Sequence, residues 1–240
     1  MGALCGIIDP TNCRVIVFEG LNMKIQLITL FPEMFTGVLN SSMLWKAQNQ
    51  AIVEFEIIDL RKYGIGKRQN VDDTPYGGGD GMLLRPEPIY EAVEFAKSND
   101  EKAVVILPTP RGDIYRQSDA KKLAKNNNGL IIICPRYEGY DERIVNIVDK
   151  QYCIGNYVLT GGEIPAMVIL DSVTRLLPGV LGGETSMDIE SFQDDDLTIE
   201  FPQYTRPEEY RGMKVPEVLL SGNHKEIISW REDNKKTPKP

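Results

Sequence analysis

The sequence predicts an α/β fold built on a mostly parallel sheet, and three observations carry that prediction. Ala103–Leu107 (AVVIL) and Leu130–Cys134 (LIIIC) are unbroken apolar runs, the pattern of central parallel strands buried on both faces. Strand-like and helix-like segments alternate as far as Leu177, as they do where helices cover a parallel sheet. Stretches rich in Gly, Pro and polar residues follow the two apolar runs and a third strand-like segment. Open parallel sheets carry their ligand loops at such places.

The elements follow in order. Lys24–Leu30 (KIQLITL) alternates apolar and polar residues and reads as a strand. A helix starts at Pro32, with Glu33 beside it; proline and an acid both suit a helix N-terminus. Met34, Phe35, Val38, Leu39 and Leu44 form its apolar stripe. Ile52–Asp59 (IVEFEIID) is a second strand. Leu60–Met82 is a long polar stretch with four glycines within residues 77–81, and loops of that length are usually functional or disordered. Ile89–Ala96 resumes a helical pattern, and a helix capped by Ser118 joins the two apolar runs. Tyr140–Asp149 is a short helix, Tyr152–Leu159 a strand and Pro165–Leu177 a helix.

Composition bounds the function. The chain of 240 residues is 42% hydrophobic and 26% charged, ordinary for a globular protein. No run of 18 apolar residues suggests a membrane span. The first 22 residues lack the basic start and apolar core of a signal peptide, so they are expected to lie outside the fold. Cys5, Cys13, Cys134 and Cys153 form no C-x-x-C pair; the last two read as buried free thiols in a reducing compartment. The net charge of -8 argues against indiscriminate nucleic-acid binding. Residues 184–200 carry seven acids and no Lys or Arg, whereas residues 201–240 carry eight Lys/Arg against six Asp/Glu. An acidic linker leading into a small, mildly basic second unit is the reading.

Three candidate ligand loops stand out: Pro108–Gly112, Pro135–Gly139 and Thr160–Glu163. The phosphate-binding, dinucleotide, zinc-protease and hydrolase motifs are all missing, and His224 is the single histidine. Each residue taken singly also has a plain structural role. Arg175 could pair with Asp171 one helical turn back, Glu138 with Arg136 or Arg143, and Gly161-Gly162 could merely turn the chain.

Taken together, six blocks decide otherwise: LFPEMF (Leu30–Phe35), VDDTPYGGGDGM (Val71–Met82), PRYEGYDER (Pro135–Arg143), IGNYVLTGGEIPAM (Ile154–Met167), DSVTRLLPGVLG (Asp171–Gly182) and PQYTRPEEYRGMKVPEVLLSGNH (Pro202–His224). In order and spacing the chain resembles the bacterial tRNA (guanine-N1)-methyltransferases from Met23 to about Arg231. The resemblance implies a SPOUT fold with a deep C-terminal trefoil knot, an exception to ordinary chain topology, and a small, mainly helical C-terminal domain. It divides the chain into an extension (1–22), a knotted catalytic domain (23–183), the acidic linker (184–200) and a short tRNA-binding domain (201–240). It implies methyl transfer from S-adenosylmethionine to N1 of guanosine 37, beside the anticodon, by a cytoplasmic homodimer whose subunits share the tRNA site.

The resemblance also assigns residues. The cofactor adenine is expected among the backbone groups of Ile154, Gly155, Asn156, Tyr157, Val158 and Leu159. Thr109, Pro110, Pro135, Tyr137, Glu138, Gly139, Gly161, Gly162 and Pro165 are expected to line the remainder, so that a side chain added at Gly162 would press on the ligand. Guanine N1 carries a proton that must leave before N1 can attack, which requires a general base; the aligned carboxylate is Glu190. Arg175 would stabilise charge on O6, and Glu138 is an essential acid near the cofactor. The methyl sulfonium is already activated, so no metal is expected. Lys67, Arg68, Arg206 and Lys214 are expected on tRNA phosphates. The chain departs from the family at three places. Glu190 stands where the family has aspartate, with Asp188 two residues earlier as a rival, and Pro135 and Asn156 replace a glycine and an aspartate.

Overall fold

A computed structural model gives the fold and describes residues 7–8, 15–16, 23–126, 128–181, 190–192 and 195–237. Five strands form one sheet: β1 (Met23–Thr29), β2 (Val53–Asp59), β3 (Val104–Ile114), β4 (Leu130–Ile133) and β5 (Lys150–Cys153). Their order is β2-β1-β4-β3-β5, and every neighbouring pair is parallel. Helices α1 (Glu33–Leu39), α2 (Ser42–Asn49), α3 (Pro86–Asn99), α4 (Gln117–Asn126) and α5 (Glu163–Thr174) lie between or after the strands.

The apolar runs make sense in this sheet. Leu130 and Ile132 of β4 pack in one core cluster with Phe35, Leu44 and Ile169, while Ile131 and Ile133 pack in the other with Ile89, Val105 and Ile144. Both faces are covered, so no position of β4 is left for a polar residue.

Strand β1 differs from the expected half-exposed strand. Gln26 and Thr29 are fully buried. Gln26 Nε2 donates to the Ala96 carbonyl at 3.0 Å, and Thr29 Oγ1 donates to Glu163 Oε1 at 2.8 Å. Buried polar groups are tolerated where such partners exist.

Other boundaries also move. The expected helix from Pro32 is two helices, broken where Ser42 turns to φ +49°. Ser118 lies inside α4 rather than capping it, and its Oγ and backbone N donate to Asp196 at 2.7 and 2.9 Å. Residues Glu142–Ile147 form a 3₁₀ helix, with Asp141 accepting from Arg143 N. Strand β3 runs through the expected Pro108–Gly112 loop as a bulge, since both Pro108 and Asp113 pair with Tyr152. A Cβ on Gly112 would stand 2.5 Å from the Gln151 carbonyl carbon, so only glycine lets the bulge close on β5. The expected strand Tyr152–Leu159 ends at Cys153, and the chain leaves the sheet there.

The polar stretch 60–82 is organised by Val71 and Leu84, 2% and 1% exposed. Asp72–Asp73 pairs with Leu83–Leu84, and Ile65 bridges Asn70. Cys134 and Cys153 are free and buried; Cys5 and Cys13 lie outside the described residues. Among the described residues no helix is long and apolar enough to cross a membrane.

The chain divides into two compact units, one of residues 1–115 and 119–181, the other of residues 116–118 and 182–240. The second contains the hairpin Glu209–Tyr210/Met213–Lys214 and helices α6 (Glu217–Leu220) and α7 (His224–Asp233). Asn223 caps α7 through Lys225 N and Glu226 N. Neither helix buries a residue.

Candidate functional site

Where β3 bulges and β4 and β5 end, the first unit holds an open cavity of about 400 Å³, within the size range of small-molecule sites. Three segments build its walls: the β3 bulge (108–111), the turn after β4 (135–140) and the irregular stretch after β5 (154–162). Every residue expected at the cofactor lines this cavity except Asn156. Asn156 is exposed and outside the wall. Around it the turn closes by Tyr157 N donating to the Gly155 carbonyl at 2.9 Å.

The turn after β4 is held from two sides. Glu138 N donates to the Met82 carbonyl and Leu84 N to the Gly139 carbonyl, both at 3.0 Å. Tyr137 sits at φ +62°, a left-handed conformation uncommon for a bulky residue. Such outliers cluster at functional sites. Burial raises its phenol pKa, and the Asp72 carboxylate, which it also meets by hydrogen bond, raises it further against Arg61. Glu138 is exposed on the wall, and its side chain lies where a Cβ on Gly81 would be. A Cβ on Gly139 would enter open space, so this glycine leaves a cradle at the wall.

The two glycines before α5 line the cavity as expected and also serve close packing. A Cβ on Gly162 would collide with Pro135 Cδ and stand 2.7 Å from Pro135 N and 2.8 Å from Cys134 Cα. Gly162 is therefore required by close approach of two backbone segments, in addition to its place on the cavity wall. Gly162 N seals the approach by donating to the Pro135 carbonyl at 2.8 Å.

Sequence reasoning missed the wall residues Tyr140, Glu142 and Cys153, whereas Arg111, Arg136 and Thr160 fell inside the three candidate loops without being assigned a role. Arg111 pairs with Glu142 at 2.7 Å, and Tyr140 donates to Thr109 Oγ1 at 3.2 Å. Arg136 pairs with the buried Glu163, and Arg143 with Asp141. Their position inside PRYEGYDER was a signal for the wall residues of that block. Cys134 lies just below the turn, where burial, then the Glu163 charge, push its thiol pKa well up.

The remaining expected residues lie elsewhere. Arg175 is half-buried at the C-cap of α5, and its N donates to the Asp171 carbonyl at 3.1 Å. Lys67 and Arg68 are exposed on the Ile65–Asn70 turn of the first unit. In the second unit Glu190 is half-buried, and Arg206 and Lys214 are exposed, with Lys214 3.7 Å from Glu209. Phe192 N donates to the Thr198 carbonyl at 2.7 Å and Glu200 N to Ser191 Oγ at 3.1 Å, so the segment after Glu190 folds back on itself. Asp188 lies outside the described residues.

A sequence profile described as "tRNA (Guanine-1)-methyltransferase TrmD" matches residues 23–239. The chain is 54% identical over 211 residues to the tRNA (guanine-N(1)-)-methyltransferase of Bacillus velezensis, covering 87% of this chain and 86% of that protein. It is 52% identical over 209 residues to the one from Dictyoglomus turgidum, covering 87% and 83%. Its structure is similar to the crystal structure of tRNA (m1G37) methyltransferase from Aquifex aeolicus, with a TM-score of 0.72, 41% identity and 87% of each chain covered.

Proposed function

Because this chain belongs to the tRNA (guanine-N1)-methyltransferase family, and so to enzymes that methylate tRNA guanine at N1, we propose that it methylates guanosine 37 from S-adenosylmethionine. The observation that carries this reading is the cavity itself, whose walls are the β3 bulge 108–111 and the segments 135–140 and 154–162 that follow β4 and β5.

The residues present fit the donor. Once β5 ends, the backbone of Ile154–Leu159 is outside the ladder and offers N–H and C=O groups to an adenine edge. Proline walls at Pro110, Pro135 and Pro165 give rigid apolar surface. Glu138 and Glu142 line the same cavity; with Glu142 paired to Arg111, Glu138 is the carboxylate that complements a cationic ligand. The Gly139 cradle admits ligand atoms where any other residue would put a side chain. Bound there, S-adenosylmethionine supplies a methyl group already activated as a sulfonium.

The chain's own groups handle the proton and the charge. Glu190 takes the N1 proton of guanine, a role worth roughly 10²–10⁴-fold in rate. Arg175 presents its guanidinium to O6 as negative charge grows there. Glu138 holds its carboxylate on the donor side of the cavity. Glu190 takes the proton with a side chain one methylene longer than the family's aspartate. In this reading the chain is a cytoplasmic homodimer with the trefoil threading of its family and a tRNA site shared between subunits. Lys67, Arg68, Arg206 and Lys214 meet phosphates of the anticodon arm, so tRNA affinity falls steeply with salt.

The test is incubation with S-adenosylmethionine and an unmodified tRNA transcript carrying guanosine next to the anticodon, followed by nucleoside analysis. The product expected is 1-methylguanosine. A ribose-methylated nucleoside, or tRNA binding without transfer, contradicts the proposal.

A further inference from the structure

Arg136 lines the cavity, yet its nitrogens point at protein. Nε lies 2.8 Å from Glu163 Oε2 without the alignment of a hydrogen bond. Nη1 donates to the Thr160 carbonyl at 3.3 Å and Nη2 to Met34 Sδ at 2.9 Å. The guanidinium lies over the Phe31 ring, 4.4 Å from its centre. Glu163 is 1% exposed, and its other oxygen accepts from the buried Thr29. A Cβ on Gly161 would collide with Arg136 Nε and stand 2.7 Å from Glu163 Oε2. Gly161 thus leaves room for the pair to meet.

This web ties the cavity wall that most needs support. The 154–162 segment has left the sheet, and no strand neighbour fixes it. Arg136, rooted in the turn after β4, reaches across to Thr160 on that wall and to Glu163 at the head of α5. Thr29, Phe31 and Met34 anchor the same web to the end of β1 and to α1. A buried ion pair is by itself weak evidence for stability, since desolvation offsets much of its attraction. Its value here is geometric. A fork with fixed bond angles spans two walls whose separation decides whether a ligand is gripped.

We propose that Arg136 and Glu163 are a positioning pair for methyl transfer, setting the gap between the 135–140 and 154–162 walls. The proposal rests on the reading of the cavity as the donor site. Arg136 acts through Thr160 and the backbone around it, and Glu163 acts through Arg136. Lysine cannot replace the arginine, because a point charge lacks the fork that reaches Thr160, Met34 and Glu163 together.

The test uses the full chain and four variants: Arg136→Lys, Arg136→Met, Glu163→Gln and the double variant Arg136→Met/Glu163→Gln. Calorimetry measures S-adenosylmethionine binding at a temperature where circular dichroism shows each variant folded, and single-turnover methyl transfer is measured at saturating tRNA. Arg136→Lys and Glu163→Gln are expected to weaken donor binding about tenfold, and to slow transfer by up to about 100-fold, the scale of an ångström-sized misplacement. Transfer RNA affinity stays within about twofold of the parent. The double variant, free of any unpaired buried charge, binds donor no more weakly than Arg136→Met alone, because groups in one network are not additive. Donor affinity unchanged in folded variants, with only a lower melting temperature, overturns the positioning role while leaving the donor site standing. Additive losses in the double variant overturn the pairing. Failure of the parent chain to bind the donor overturns both this proposal and the donor site.

Discussion

Arg136 and Arg231 each lie over an aromatic ring, 4.4 Å from the centre of Phe31 and 4.9 Å from that of Phe201, yet their surroundings differ. Arg136 stands in a web of a buried carboxylate, a carbonyl, a thioether and a buried threonine. The Nε of each arginine is buried without a hydrogen bond, but Arg136 Nε has the Glu163 carboxylate 2.8 Å away, and Phe201 is the one buried hydrophobic among the described residues of the second unit. That unit is held by local devices: the Asn223 cap, the Asp195 contacts with Leu197 and Thr198, and the tilted Tyr204–Trp230 pair. Segments with few buried contacts open at low free energy. Under the proposed function the first unit holds the donor in fixed geometry and the second is ordered by the RNA it meets; the second presents Tyr210, Met213 and Leu220 to solvent.

The sharpest way to break this contrast is to remove chemistry from the second unit. Glu190 belongs there, and Glu190→Gln is expected to lower single-turnover methyl transfer by about 10²–10⁴-fold while leaving donor binding unchanged. Asp188→Asn should be mild. The reverse ranking would move the proton to Asp188, and two mild effects would remove both carboxylates from the reaction.

A smaller effect sharpens the account of the first unit. Gly162→Val forces a side chain between Cys134 and Pro135. Overpacking of that kind costs about 1–3 kcal/mol, several degrees in melting temperature for a chain of this size. Stability and donor affinity should fall together. Loss of donor affinity at unchanged melting temperature would leave Gly162 with the direct ligand contact alone.

The packing role of Gly162, added to its expected place on the cavity wall, shows where sequence stops being informative. AVVIL and LIIIC were readable as central strands because burial on both faces leaves a mark at every residue. The cavity walls were readable because their residues cluster in contiguous blocks. Gln26 and Thr29 looked solvent-facing because their partners, Ala96 and Glu163, lie 70 and 134 residues away. Tyr152–Leu159 looked like one strand because its side chains suit a strand, whereas the tertiary structure takes the chain out of the sheet after Cys153. The Arg136–Glu163 pair left no local pattern, since 27 residues and a change of direction separate two ordinary charges.

The smallest expected effect concerns Cys134. Its folded pKa is raised by burial, first, and by the Glu163 charge. The native state therefore keeps the proton at pH values where the unfolded thiol, with pKa about 8.5, loses it. This contribution to stability is complete below about pH 8.5 and declines as pH rises above it toward the folded pKa. The melting temperature should fall on that alkaline side, and Cys134→Ala should flatten part of the fall. Iodoacetamide at pH 8.5 should leave Cys134 unmodified in the folded chain; rapid alkylation there would mean that the base of the cavity opens to solvent.

Hydrogen exchange of the full chain tests the contrast between the units most directly. It is measured without ligand, with S-adenosylmethionine, and with both donor and tRNA. Donor alone should protect residues 108–112, 135–140 and 154–162 and leave 201–237 exchanging as before; tRNA should then protect 201–237 and the 65–70 turn. Equal protection of 201–237 by donor alone, or no protection of 201–237 by tRNA, would contradict the division of a rigid donor site from a recognition unit ordered by its RNA.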